Sequence, residues 1–142
     1  MFTTSHLHPM LVHFPIALVI LGFVADLLQF LYKKEICFSK ISFYLLVTGT
    51  IAAIITLLSG ILFTADLTGA AGNVQERHEF FAWTTVILLL IASVIRTFLL
   101  FRKEKVSGLK WVAFISYGLA MITVSITGFL GGTIVYNYLV HL

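Results

Sequence analysis

Long apolar runs alternate with short polar breaks along the whole chain, and the spacing of the breaks sets the first expectation. Four runs, near 9–32, 41–65, 78–101 and 109–138, are separated by KKEICFSK, DLTGAAGNVQER and RKEKVSGLK. A bilayer core about 30 Å thick takes roughly 20 residues of helix, so each run is long enough to cross it. The pattern predicts an all-α fold, an integral-membrane four-helix bundle forming a single domain over 1–142. The first and third breaks are short and basic, and by the positive-inside rule they face the cytoplasm. Both termini and the middle break then face outward. Arg96 falls inside the third run near its basic end, close enough to snorkel to the headgroups.

Composition narrows the class. The chain is 60% hydrophobic and 11% charged, outside the range of soluble domains. Nine Lys and Arg against six Asp and Glu lie mostly in or beside the breaks rather than on an aromatic-interleaved basic face, which argues against a nucleic-acid binder. The only cysteine, Cys37, excludes an internal disulfide, an iron–sulfur cluster held by this chain alone and covalent c-type haem attachment. The N-terminus has neither a basic region nor a small-residue cleavage site, so the first helix is expected to stay in the mature protein. No GxSxG elbow, HExxH, phosphate loop or dinucleotide fingerprint is present. The glycines of GFLGGT lie within an apolar span and follow no strand.

The two halves echo each other. LYKKE and FRKEK each follow a helix that starts near a histidine, and ITLLSGILF of the second run resembles ITVSITGFL of the fourth. This suggests a parallel repeat of two helical hairpins about an axis along the membrane normal. Gly49, Ala52, Ala53, Thr56 and Gly60 share one face of the second helix. Gly118, Ser125 and Gly132 recur every seven residues on the fourth, with Gly128 alongside. Such stripes allow close helix packing or clear space for a flat cofactor.

The histidines carry the candidate chemistry. His6, His8, His13, His78 and His141 all fall on the outer half in the expected orientation. His6 and His141, near the termini, read as ordinary interfacial residues. Five residues separate His8 from His13, about 140° around an ideal helix, so both cannot face one ligand directly. Pro9 suits a first helical turn, while Pro15 removes a backbone bond and bends the chain near Leu11. His13 is the deepest of the five, and His78 has the small residues Ala82 and Thr85 on its face. His13 and His78 open the first and third helices, which can face each other across a bundle. Two imidazoles at one depth suit axial ligation of haem. His8, His13 and His78 together can equally hold zinc or copper.

Among the carboxylates, Asp66, Glu76 and Glu79 ring the outer mouth near His78, as solvated loop charges or as partners orienting its ring. Asp26 lies deep in the first helix, and its nearest cations in sequence are Lys33 and Lys34. No partner for it is evident.

At HPMLVHFPI and again at TGFLGGTIVY, the chain resembles the bacterial membrane family known as domain of unknown function 2231. That family shows HPxxVHFPI at the start of helix one, a histidine opening helix three and GGxLVY on helix four. The resemblance covers nearly the whole chain. Members are similar to small four-helix b-type cytochromes, and some are joined to Rieske-type or cytochrome c domains, which implies an electron-transfer setting. The family histidines fall on His8, His13 and His78, and the glycines on Gly128, Gly131 and Gly132. The closing stretch reads VYNYLVHL, with Tyr138 where the family often has histidine, which puts a ligand from helix four in doubt unless His141 substitutes.

Three functions follow. The first is a membrane-embedded haem b protein of the bacterial cytoplasmic membrane, with His13 and His78 as the axial pair, His8 beside them, and Gly128 and Gly132 giving the cofactor room. It would pass electrons between quinol or another membrane donor and an outer-face acceptor such as a Rieske-type or cytochrome c protein. The second is a copper or zinc binder or transporter using His8, His13 and His78. The third is a structural subunit of a larger membrane complex, as part of a homo- or hetero-oligomer.

Overall fold

The computed structural model describes residues 7–32, 36–102 and 107–139; His6, His141, Lys33 and Lys34 lie outside them. A short helix α1 (Leu7–Leu11) leads into α2 (His13–Leu31), followed by α3 (Ile36–Phe63), α4 (Gly69–Arg102) and α5 (Ser107–Ile134), whose end widens into a π turn over Val135–Leu139. Four of the described helical stretches, His8–Gln29, Ile36–Phe63, Gly69–Arg102 and Gly108–Tyr138, are long and apolar enough to cross a membrane. Two helices start earlier than the hydrophobic pattern indicates, α3 at Ile36 rather than 41 and α4 at Gly69 rather than 78. The extra turns of α4, GAAGNVQER, are polar but rich in residues that tolerate a helix. They are held by Gln75, whose side chain accepts from the Leu67 N–H at 2.8 Å and donates to Glu79 at 3.1 Å.

The break between α1 and α2 has a specific cause. Pro15 has no N–H, so the Leu11 carbonyl is left without its partner along the helix. The Thr56 hydroxyl of α3 donates to that carbonyl at 3.3 Å. In an apolar surrounding a freed backbone group needs such a replacement. Val12 itself keeps helical dihedrals and donates to the His8 carbonyl at 3.2 Å, so the interruption is local and the segment stays anchored to α3.

The helices alternate in direction and close a ring: α2 packs on α3, α4 on α5, α3 on α4 and α5 on α2. The internal repeat is visible in what is buried. Pro15, Val19 and Gly22 of α2 recur 70 residues on as Thr85, Leu89 and Ala92 of α4, all buried. Ser42, Leu46, Gly49 and Ala53 of α3 recur 71 residues on as Ala113, Tyr117, Ala120 and Val124 of α5, again all buried. The two hairpins therefore pack as pseudo-equivalent halves. The matching register pairs Thr56 with Thr127 and Gly60 with Gly131, one helical turn beyond the ITLLSGILF/ITVSITGFL match. Apolar strings resemble each other at several offsets, and only burial selects one.

Two contacts cross the ring diagonally, and both join residues 70 apart. At the end holding the two basic loops, Arg96 of α4 meets Asp26 of α2 in an ion pair. Asp26 is 3% exposed. Arg96 does not snorkel outward as its position suggests. Its guanidinium turns inward, donates to the Ser42 hydroxyl at 2.9 Å and lies over the Tyr117 ring, 5.5 Å from its centroid. An unpaired carboxylate in the bilayer costs about 2.5–3.5 kcal/mol on insertion scales, so pairing across the bundle outweighs Arg96's reach for headgroups. Tyr117 is fully buried and its hydroxyl occupies the space over Gly22, where an added Cβ would stand 2.0 Å from the oxygen. The second diagonal contact lies at the opposite end of the bundle.

Candidate functional site

At the end holding the termini, the His8 and His78 rings meet across the bundle with centroids 6.3 Å apart and planes at 87°. Each ring is held by the other helix of its own hairpin. His8 lies against Gly60, where an added Cβ would come within 3.0 Å of the ring, and His78 lies against Gly131, where the corresponding distance is 3.2 Å. A side chain at either glycine would push the ring off its helix. His8 stands eleven residues before Val19 as His78 stands eleven before Leu89, about three full turns, so each ring continues the inward face of its helix.

The hydrogen bonds determine which ring nitrogens carry protons. His8 Nδ1 is 2.9 Å from the Ser59 hydroxyl, and that hydroxyl donates its single proton to the Thr56 carbonyl at 2.7 Å. In that arrangement Ser59 Oγ accepts from His8 Nδ1–H. His78 Nδ1 lies 3.0 Å from the Thr127 carbonyl, which can only accept, so it too is the protonated nitrogen. In the neutral rings both Nε2 atoms keep their lone pairs. Nδ1–H donation to a carbonyl or hydroxyl is the usual means of orienting a metal-binding imidazole.

The histidine pair therefore differs from the one the sequence pattern suggests. His13 is exposed, and its Nδ1–H donates to the Pro9 carbonyl at 2.9 Å. It points away from His78, because the two helices face each other along the line set by Val19 and Leu89, from which His13 is rotated. His8, His13 and His78 are not gathered at one point, and among the described residues no three His, Cys, Asp or Glu side chains form a metal-holding group. Gly128 takes the Ile16 side chain, 2.9 Å from an added Cβ, and so serves contact between α2 and α5, whereas an added Cβ at Gly132 meets nothing within 4 Å. Asp66, Glu76 and Glu79 are exposed, and the described partner of the His78 Nδ1 is the Thr127 carbonyl, not a carboxylate.

Sequence reasoning missed Ser59 and Thr127, one a side-chain acceptor and the other a backbone carbonyl. Nothing in the local sequence marks the carbonyl. Gly60 and Gly131 were legible as small residues, but not as the surfaces on which the rings rest. Arg96 as the partner of Asp26 was legible only through the repeat spacing.

The ring-centroid separation of 6.3 Å is close to the roughly 6 Å that two imidazoles on opposite sides of one ion would have with metal–nitrogen bonds of about 2 Å.

Fold and site together define a multi-pass four-helix membrane protein with an imidazole pair at one end of the bundle. The chain belongs to the family described as predicted membrane protein, domain of unknown function 2231, whose model matches residues 4–142. No curated protein and no solved structure matches it.

Proposed function

We propose that this protein binds haem b and takes part in electron transfer, with His8 and His78 as the residues that would hold the iron. One observation carries the reading: each Nδ1–H is committed within its own hairpin, leaving two Nε2 lone pairs on rings that meet across the bundle. Two unprotonated imidazole nitrogens do not satisfy each other, and a cationic centre held by both would. When bound, haem supplies a one-electron iron couple. Ser59 and the Thr127 carbonyl hold the two rings in the tautomer that ligation needs, and Gly60 and Gly131 let the rings lie close to their helices. His13 has no part in this pair.

On this reading the two basic loops face the cytoplasm, as the positive-inside rule favours. The histidine pair then lies toward the outer face of a bacterial cytoplasmic membrane, within reach of quinol in the outer leaflet or of a Rieske-type or cytochrome c acceptor. A second reading places a single copper ion on the same two nitrogens, an imidazole donor set that copper accepts.

The test is a visible spectrum of the detergent-purified protein, expressed with haem available, oxidised and dithionite-reduced. Sharp reduced α and β bands are expected in wild type and in His13→Ala, and their loss in His8→Ala and His78→Ala. Added imidazole should restore part of the band in His8→Ala if the fold is intact. A colourless wild type that takes up no haemin overturns the reading, and elemental analysis of the same sample then decides for or against copper.

A further inference from the structure

The repeat shows where the two halves differ as well as where they agree. In the contact between α2 and α5, Phe23 lies on Gly118, 3.0 Å from where a Cβ would stand, and its ring continues to Phe114 at 5.4 Å. The pseudo-equivalent contact lies between α4 and α3, where position 23 corresponds to Ser93 and position 118 to Val47. Serine leaves there the volume that a phenylalanine fills on the other side. An open groove of about 640 Å³ results, with Val47, Val94, Phe98 and Phe101 as its apolar wall, Ser93 in its floor and Arg102 at one end.

The charge at that end is not confined to one residue. Thr50 and Ser93 hydrogen bond at 2.8 Å between the antiparallel helices α3 and α4. From that level, Lys40 and Arg102 each lie about 14 to 15 Å toward the basic-loop end at 1.5 Å per residue. Lys40 is seven residues before Val47, nearly two full turns, and so shares its face. Both Lys40 and Arg102 are exposed, and Arg102 stacks on Phe98, 5.4 Å from the ring centroid. The groove thus has an apolar length along the spans with Arg102 at its end, and Lys40 stands at the same depth on the Val47 face of α3.

We propose that this groove is a binding site for one anionic phospholipid, its phosphate headgroup between Lys40 and Arg102 and an acyl chain along Val47, Val94, Phe98 and Phe101. Basic pockets between transmembrane helices take anionic headgroups in this way. Ser93 is 15 residues from His78, about 22 Å along α4, so the site is independent of the imidazole pair. It faces the leaflet at the basic-loop end.

The test is native mass spectrometry of the delipidated full chain titrated with phosphatidylglycerol and with phosphatidylcholine of identical acyl chains. Each nearby cation contributes about 1 kcal/mol toward an anionic headgroup, so wild type should retain one phosphatidylglycerol with at least about tenfold preference. The preference should vanish in Lys40→Gln/Arg102→Gln. Val94→Trp, at a position 65% exposed and therefore tolerant of bulk, should fill the groove and reduce retention of both lipids. Equal retention of the two lipids by wild type, an undiminished preference in the double variant, or full retention in Val94→Trp would each overturn the proposal.

Discussion

The two diagonal contacts of the bundle stand at equivalent places in the repeat and have opposite character. Asp26 and Arg96 satisfy each other across the bundle, and with Ser42 supplying a third group the contact is closed. His8 and His78 are each satisfied within their own hairpins, by Ser59 and by Thr127, and meet each other only ring to ring. The first arrangement joins the halves by an ion pair; the second brings two rings edge to face, with no hydrogen bond between them among the described residues. Whether residues on a repeat axis become a lock or a site depends on where their hydrogen bonds go, more than on how near they are.

The strongest way to break the lock is to remove one charge. Arg96→Met leaves Asp26 buried without a partner, and the expected loss is about 3–5 kcal/mol, read as a lowered thermal midpoint in detergent. Asp26→Leu/Arg96→Met should recover most of it, because replacing both partners removes the uncompensated charge. A single variant no less stable than the double would show that the pair does not join the halves.

Between the two contacts, Gly22 and Tyr117 test how tightly the hairpins approach. Gly22→Ala places a Cβ 2.0 Å from the Tyr117 oxygen and 2.8 Å from the Leu45 Cβ, an overpacking expected to cost about 1–3 kcal/mol. The Tyr117 hydroxyl is buried with no hydrogen-bond partner among the described residues, so Tyr117→Phe should itself be near neutral or stabilising. It should also return part of the loss when combined with Gly22→Ala. Additive damage in the double variant would mean the two do not share this space.

The smallest effect on the fold, and the sharpest on the comparison, is Ser59→Ala. Removing one interhelical hydrogen bond in a membrane bundle costs about 0.6 kcal/mol on average, so the melting curve should barely move. His8 would lose the acceptor that holds its tautomer, and haem affinity should fall about 10- to 100-fold, measured by haemin titration. Unchanged affinity would show that Ser59 does not orient a ligand.

Much of this architecture was legible in advance. The four spans follow from apolar run length, and the hairpin repeat from the recurrence of a histidine start and a basic end. Helix ends were less legible, because the polar turns of α4 carry no hydrophobic signal. The pairing of Asp26 was hidden by sequence distance: the nearby lysines were the obvious cations, and the actual partner stands 70 residues away. His8 and His13 were separable only in part. A five-residue spacing says the two diverge, but not which one turns inward.

By itself, then, the sequence determined the membrane class, the four helices, their tandem arrangement and the family, since these depend on run length, periodicity and local motif. The tertiary structure alone decided that His8 and not His13 meets His78, that Arg96 turns inward to Asp26, and that Ser93 leaves a groove where Phe23 fills one. Each of these rests on the rotation of a helix about its own axis. That rotation is set by which small residues let neighbouring backbones approach, which a one-dimensional pattern does not record.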